Sequence, residues 1–529
     1  MKSPIAGAVL ASLLLVPVAG QQADTDVIWR IRREATEHSR IERTVHMLTD
    51  RYGPRLTGSP NLRAASDWVV TQLTEWGLER AHLEPWDFGH PGWSNQRMTA
   101  HLMAPINDVL TAEVLAWTPG TDGAVRGAVV HVIPPENPTR EGLDALLSGL
   151  RETVRGKAVL VGEPENLPVE FNAVQKRRDL AELQSEFDVA VPDEPAPSPE
   201  PDADDDGRLS AREVDEAIDL LLSQAGALVR LDDAGRRHGQ IRAFSNRTYD
   251  PTLAPPTLVL RHEDFGRIAR LLADGPVEVE VEIVNSVHPE GTTQYNVVAE
   301  IPGTDLAREV VMLGGHLDSW HAATGATDNA IGSAVMMEAV RILAALDVRP
   351  RRTIRLALWS GEEQGLLGSR AYVAEHFGTA ENPKAAYAGF GGYLNVDSGT
   401  GQIRAATIFG PDAAQAVLDE MLAPFADLGV VGARSTRSRR RGGSDHTSFN
   451  AAGLPGIGFS LDPIEYRSHT WHTNLDTFER IVPGDAMKSA AIVAATAYQL
   501  AMRNTLLPRF AADAMPEPRD VSPAGRTQP

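Results

Sequence analysis

"EVVMLGGHLDS" (residues 309–319) is an apolar run that stops at a histidine and an aspartate. A second run of the same kind, "TIRLALWSGEE" (353–363), stops at two adjacent glutamates. Between them, "GATDNAIGSAVMMEAVRIL" (325–343) carries apolar residues at helical spacing. Strand, helix, strand in this order predicts neighbouring strands of a doubly wound α/β sheet. The pattern extends outward through "TQYNVVAEIPG" (293–303), "GYLNVDSG" (392–399) and "GLPGIGFSLD" (453–462).

In open α/β sheets, ligands bind outside the carboxyl ends of the strands. Those ends deliver His316 and Asp318, Glu362 and Glu363, and Asp397, while the loop "SHTWHTNLD" (468–476) adds His472. Asp328 stands at the start of the intervening helix, where an N-cap is the plainer reading. For any one of these residues a solvated charge is an ordinary explanation; the set together is not. Like charges on adjacent Glu362 and Glu363 repel, and the motifs contain no Lys or Arg, so divalent cations are the natural counter-charge. The chain has no cysteine, which excludes disulfides and thiolate ligands and leaves His, Asp and Glu as donors.

A two-metal site closes on this set. His316 and Glu363 serve one ion, Asp397 and His472 the other, and Asp328 bridges both. Glu362 is then left free to act as a general base, because adjacent side chains on an extended segment project apart. Asp318 is expected to accept a hydrogen bond from the second ring nitrogen of His316. His321 and His469 are expected on the surface or behind the ligands.

The pieces "GGHLDSW", "TDN", "LWSGEEQGLLGS", "NVDSG", "GSDHTSF" and "HTNLDT" resemble, in order, those of metallopeptidase family 28, the co-catalytic di-zinc exopeptidases. The resemblance covers residues 30–110 and 290–505 and looks partly like the plasma glutamate carboxypeptidase branch, partly like bacterial aminopeptidases. It implies His316, Asp328, Glu363, Asp397 and His472 as ligands of two zinc ions, Glu362 as base and Asp318 as orienting partner. The implied fold is a doubly wound mixed sheet of zinc-exopeptidase type with an inserted β-rich protease-associated domain. The implied activity is removal of residues from the N-terminus of peptides, with a dipeptidase of the plasma glutamate carboxypeptidase type as the alternative. Glutaminyl cyclisation and an inactive binding protein are further alternatives, disfavoured by the complete ligand set. Asp445 and His446 would line or support the pocket, and the hydroxyl of Tyr466 is a candidate oxyanion donor.

At 529 residues the chain exceeds one ordinary core. Residues 27–82 read as helical, a β-rich texture runs over 112–288, and the α/β pattern follows, giving a peptidase unit of 21–111 and 289–507 with an insert at 112–288. The tail 508–529 lacks an apolar period and is expected to be disordered. Residues 1–20 read as a signal peptide, so the mature chain is expected outside the cytoplasm, secreted or periplasmic. No run is long enough for a stable membrane span. A net charge of −21 argues against nucleic acid as a partner; peptides are the substrates that the resemblance implies.

Within the insert, 188–207 is acidic and Pro-rich, and "DADDDGRLSARE" (202–213) fits a calcium loop. Asp202, Asp204, Asp206 and Glu213 would be the ligands of one Ca2+; a solvated acidic linker is the alternative.

Overall fold

The computed structural model describes residues 25–188 and 208–518. The signal-like segment 1–20 and Asp202, Asp204 and Asp206 lie outside them. Two eight-stranded sheets organise the chain.

The first sheet runs in the order Glu79–Asp87, Thr293–Ile301, Arg352–Trp359, Leu306–His316, Phe390–Asn395, Gly456–Leu461, Ile403–Phe409, Ala433–Thr436. The central four are parallel, and antiparallel strands flank them on both sides. Helices cover both faces, which is why these strands read as unbroken apolar runs. Ile331–Ala345 is buried along nearly its whole length. It shares the larger core with Pro483–Met502 and the N-terminal helices. On the other face, Phe449, Tyr393 and Trp359 pack together, with Tyr393 and Phe449 stacked at 4.4 Å.

The expected N-terminal helices are Thr25–Glu37, Ile41–His46 and Pro60–Glu75. The last begins with Ser59 accepting the Leu62 amide at 3.2 Å and with proline in the first turn. After it the chain turns into the edge strand Glu79–Asp87, which pairs with Thr293–Ile301.

The second sheet runs Asp108–Val109, Gly92–Ala104, Glu278–His288, Val125–Val132, Ala158–Val161, Val229–Asp233, Thr257–Leu260, Ala112–Val114. It starts at Gly92, ahead of the residue-112 boundary read from composition. Gly92–Ala104 and Glu278–His288 pair along their length, with Gly92 opposite His288. Composition misses this strand because its partner is remote in sequence, and only pairing reveals which sheet it joins.

Three glycines meet where the two sheets join. A Cβ on Gly92 would lie 1.9 Å from the Gly58 carbonyl oxygen, and one on Gly291 would lie 2.4 Å from the Gly92 nitrogen. Backbone meets backbone there, so no side chain can yield.

Residues 508–518 are packed, contrary to the disorder expected of them. Arg509 donates to the carbonyls of Tyr387 and Phe390, Phe510 packs on Phe409 at 5.3 Å, and Pro516 accepts from the buried Arg439 at 2.8 Å. These contacts use single anchors rather than a period, so no periodicity announces them.

Gly92→Ala is expected to lower stability by about 1–3 kcal/mol or more through this overlap. Gly149, in the helix Arg140–Val154 with open space around it, gives the contrast: Gly149→Ala should stabilise by about 0.5–1 kcal/mol. Denaturant midpoints of both variants against the parent check the pair.

Candidate metal centre

The carboxyl ends of Leu306–His316, Arg352–Trp359 and Phe390–Asn395 lie side by side. This brings the candidate residues together. His316 closes its strand, and its Nδ1 contacts the Asp318 backbone carbonyl at 2.9 Å, which points Nε2 into the site. Nε2 then lies 3.2 Å from Oδ1 of Asp328 and 3.2 Å from Oδ1 of Asp397. The other oxygen of Asp328 faces His472, whose Nε2 is 3.1 Å away and also 3.0 Å from Oε2 of Glu363.

Asp328 therefore stands between two groups, as a bridging carboxylate would. The contacts regroup the other ligands, however: His316 goes with Asp397, and His472 with Glu363, where the sequence had paired His316 with Glu363 and Asp397 with His472. The reason is local. A turn at Gly361 (φ 72°) carries Glu363 past the strand end toward the loop that brings His472, while Asp397 leaves the strand directly beside that of His316. The donor atoms are close throughout, with His316, Asp328 and Glu363 mutually within 4.8 Å, and His316, Glu362 and Asp397 likewise.

Asp318 is fully buried but does not use its carboxylate on His316, whose Nδ1 is 3.7 Å from Oδ1. Its oxygens instead accept the backbone amides of Glu362 at 3.3 Å and Glu363 at 3.2 Å, and the Thr57 hydroxyl at 3.1 Å. Asp318 thus orients both glutamates through their backbone and holds His316 through its own carbonyl.

Two supporting residues escaped sequence reasoning. Asp476 accepts the amides of Thr327 at 2.6 Å and Asp328 at 3.0 Å, fixing the bridging loop. Arg55, fully buried, donates to the carbonyls of Leu317, Leu48, Thr324 and Gly325 at 2.6–3.0 Å. The aspartate of "HTNLDT" was a visible signal, since it closes a quoted motif; Arg55 offered none beyond its place in "YGPRLTGSP". Asn329 ties the same loop to the Asp397 strand by donating to the Val396 carbonyl at 2.9 Å. His472 occupies φ 63°, a left-handed conformation that costs a non-glycine residue about 1–3 kcal/mol and is held by its surroundings.

The electrostatics match the crowding. Burial would raise Asp328, but hydrogen bonds from His316 and His472 hold it below the usual carboxylate range. Burial pushes Glu363 up to about 7 against the relief His472 gives it. Glu362 is driven well above the ordinary carboxyl value, first by burial and then by Asp397, Asp445 and Glu363, with His316 opposing. Burial lifts Asp445 to about 8. His446, half-buried under Gly458, is lowered by burial to about 4. Tyr466 packs against Gly399, its hydroxyl raised by burial and by the charges of Asp328, Asp397 and Glu363. His321 donates from Nε2 to the Val114 carbonyl at 2.6 Å, a structural contact, and His469 contacts Ser468 at 2.8 Å.

The donor set fits metal ions. Its ion pairs are carboxylate to imidazole, and Oε1 of Glu363 is buried with no hydrogen-bond partner. A cation supplies what such an atom lacks. The calcium reading gains no such support: Glu213 spends its carboxylate on the amide and hydroxyl of Ser210, at 2.9 and 2.8 Å, in a helix capping box.

Residues 296–497 match the family model described as peptidase family M28. Over this segment the chain resembles metallopeptidase family M28. Among curated relatives, mouse carboxypeptidase Q is 27% identical over 465 residues, covering 88% of this chain and 86% of the mouse protein. Leupeptin-inactivating enzyme 1 of Streptomyces exfoliatus is 34% identical over 172 residues, 31% of this chain and 35% of that one. Among solved structures, a peptidase M28 precursor from Shewanella amazonensis superposes with a TM-score of 0.64 at 24% identity, covering 92% of this chain and 98% of its own. A zinc aminopeptidase from Bacillus subtilis gives 0.53 at 16% identity, covering 90% and 97%. These two likenesses establish the α/β fold of the chain with its two mixed sheets.

Metal uptake by this candidate site should release protons. In the metal-free protein burial favours neutral His472, but Glu363 and Asp328 outweigh it and push the imidazole up to about 9. Protonated imidazole cannot ligate, so apparent metal affinity should rise with pH until about 9. The same pairing stabilises the metal-free fold: fully below the ordinary value of 6.5, and progressively less as pH rises through about 9. Calorimetric metal titrations at about pH 7 in buffers of different protonation enthalpy should show at least one proton released per chain. No release would contradict this coupling.

Proposed function

We propose that the chain is an exported zinc-dependent exopeptidase that acts on short peptides carrying a free N-terminus. The observation that carries this reading is the split of Asp328, one oxygen toward His316 and Asp397 and the other toward His472 and Glu363, which makes two three-residue ligand groups sharing one carboxylate. Imidazole with carboxylate donors suits zinc. The match of residues 296–497 to the M28 family model and the zinc aminopeptidase among the structural neighbours support the choice. The signal-like residues 1–20 support export.

Two zinc ions held there would polarise the scissile carbonyl and acidify the attacking water. Glu362 is the base: its carboxylate lies within the group formed with His316 and Asp397 and is free of the closest ligand contacts. It takes a proton from the water and returns it to the departing amine, so no net proton is gained or lost by the chain. Burial raises the proton affinity of Glu362, which suits a group that must hold a proton between two steps. Asp318 positions Glu362 through its amide. Tyr466, buried at the site, is the candidate donor to the developing oxyanion.

An aminopeptidase and a dipeptidase share all of this chemistry. They differ in what lies beyond the leaving amine.

The test is mass spectrometry of peptides and their N-acetylated twins after incubation with zinc-loaded protein. Loss of N-terminal residues, blocked by acetylation, is expected. Glu362→Gln should cut turnover by about 10²–10⁴-fold while metal analysis still finds two zinc ions per chain. Full turnover by that variant with both ions bound would remove Glu362 as the base, and a single ion would remove the two-metal reading.

A further inference from the structure

One segment of the second sheet's unit crosses to the first sheet beside the metal centre. It leaves the end of the strand Ala158–Val161, where the Gly162 amide donates to the Val132 carbonyl at 2.9 Å. It ends in the helix Leu180–Asp188, whose Leu183 and Phe187 are buried with Ala405 of the first sheet.

Both ends of the crossing are fastened. On the second-sheet side the Glu165 amide donates to Asp233 at 3.0 Å, and Arg237 donates to the Pro168 carbonyl at 2.8 Å. On the other side the Ile464 amide donates to the Lys176 carbonyl at 3.0 Å, and the Lys176 ammonium lies 2.8 Å from Glu465. The Arg178 amide donates to Asp462 at 2.9 Å.

These fixed points flank the metal centre. Glu465 immediately precedes the turn Tyr466–Thr470, and Thr470 accepts from the hydroxyl of Thr327, the neighbour of Asp328, at 2.7 Å. Arg237 stands two residues before Gly239, whose carbonyl accepts at 3.2 Å from the side chain of Asn474, two residues past His472. The crossing therefore runs from the flank of His472 to the flank of Tyr466.

The middle of the crossing is held by nothing. Residues 171–175 make no hydrogen bond, ion pair or ring contact with the described residues. They are nevertheless apolar in part: Val169 is 74% exposed, Phe171 92% and Val174 43%. Single exposed apolar side chains are ordinary, but three within six residues, on a span pinned at both ends, form a surface that an arriving group can cover. A second protein is a poor candidate, because a stable interface takes roughly 800 Å² from each partner, more than three such side chains present. A small molecule held between the two fixed points fits better. Extended, the span from Glu170 to Lys176 reaches at most about 20 Å, enough to arch over a few residues of peptide.

We propose that residues 169–175 are a strap that closes over a peptide bound at the metal centre, and that Phe171 is the side chain that then lies against it. The proposal rests on the metallo-exopeptidase reading and adds to it a substrate-contacting residue from the second sheet's unit. Movement is cheap, since the middle of the strap has no hydrogen bonds to break. The anchors at Pro168 and Lys176 keep its ends in place while the middle swings. Closure removes the phenyl ring and the peptide's side chain from water together, so the strap favours peptides with an apolar group beneath it.

The first arm of the test is kinetic, on the zinc-loaded full chain with Leu-Gly-Gly, Gly-Leu-Gly and Gly-Gly-Gly. Phe171→Ala should raise KM for at least one leucine peptide by about three- to tenfold, the range that an aromatic contact carries. KM for Gly-Gly-Gly and all three kcat values should stay within about twofold, and Phe171→Leu should recover part of the loss. KM unmoved for every peptide, or moved equally for Gly-Gly-Gly, overturns the proposal. The second arm needs no turnover. The chain has no cysteine, so Ala173→Cys offers a single attachment point for a bimane label in the middle of the strap. In Glu362→Gln carrying that label and loaded with zinc, the leucine peptide should shift the emission, with half-saturation at the Kd that calorimetry gives. A shift in a protein whose parent cleaves no peptide upholds the strap while the peptidase reading falls. Calorimetric binding without a shift overturns the strap and leaves the peptidase reading standing. A shift that follows protein concentration instead of peptide assigns the surface to a second copy of the chain and overturns the proposal.

Discussion

Mutual repulsion among Asp328, Glu362, Glu363 and Asp397 is the constraint around which the peptidase sheet is arranged. Four carboxylates converge at the ends of three neighbouring strands, and the groups in direct contact with them are the imidazoles of His316 and His472. Repulsion at this range inside a protein is worth several kcal/mol per pair by effective-dielectric reasoning, about 4 kcal/mol at 4 Å. The fold tolerates it because the carboxylates are fixed from behind and leave their free lone pairs for cations. That division of labour explains why so many buried polar residues surround the site without entering it.

The fixing is done by backbone. Asp318 and Asp476 each accept two main-chain amides, from Glu362 and Glu363 and from Thr327 and Asp328 respectively. Arg55 gathers four main-chain carbonyls from the segments around the bridging loop. These three side chains satisfy irregular backbone that could not be buried otherwise. The ligands are then oriented by where their main chain is held, which leaves their side chains little freedom to turn away from one another.

The convergence of the candidate ligands was legible in the sequence because strand ends impose it: an apolar run ending in His or Glu states both where the strand stops and what it offers there. The pairing within the set was not legible, because it depends on how far the turn at Gly361 throws Glu363 and on the approach of the His472 loop. Asp318 was found for the right neighbourhood and the wrong bond, since a two-residue offset does not say whether carbonyl or carboxylate faces the ring. The second sheet's first strand was missed for a different reason. Gly92–Ala104 carries no compositional mark of its partner Glu278–His288, and contacts so remote in sequence are set by topology.

The edge pairing also ties the two sheets to each other. Glu79–Asp87 pairs with Thr293–Ile301 in one sheet, and Gly92–Ala104 with Glu278–His288 in the other. One ascending and one descending stretch of chain therefore form a single antiparallel ribbon that passes from sheet to sheet through the contact of Gly58, Gly92 and Gly291. A slip of one residue along this ribbon would turn the inward faces of both sheets outward together. The ribbon thus acts as a shared ruler: correct alignment in the sheet that bears the candidate ligands is checked by the packing of the second sheet, and neither can misalign alone.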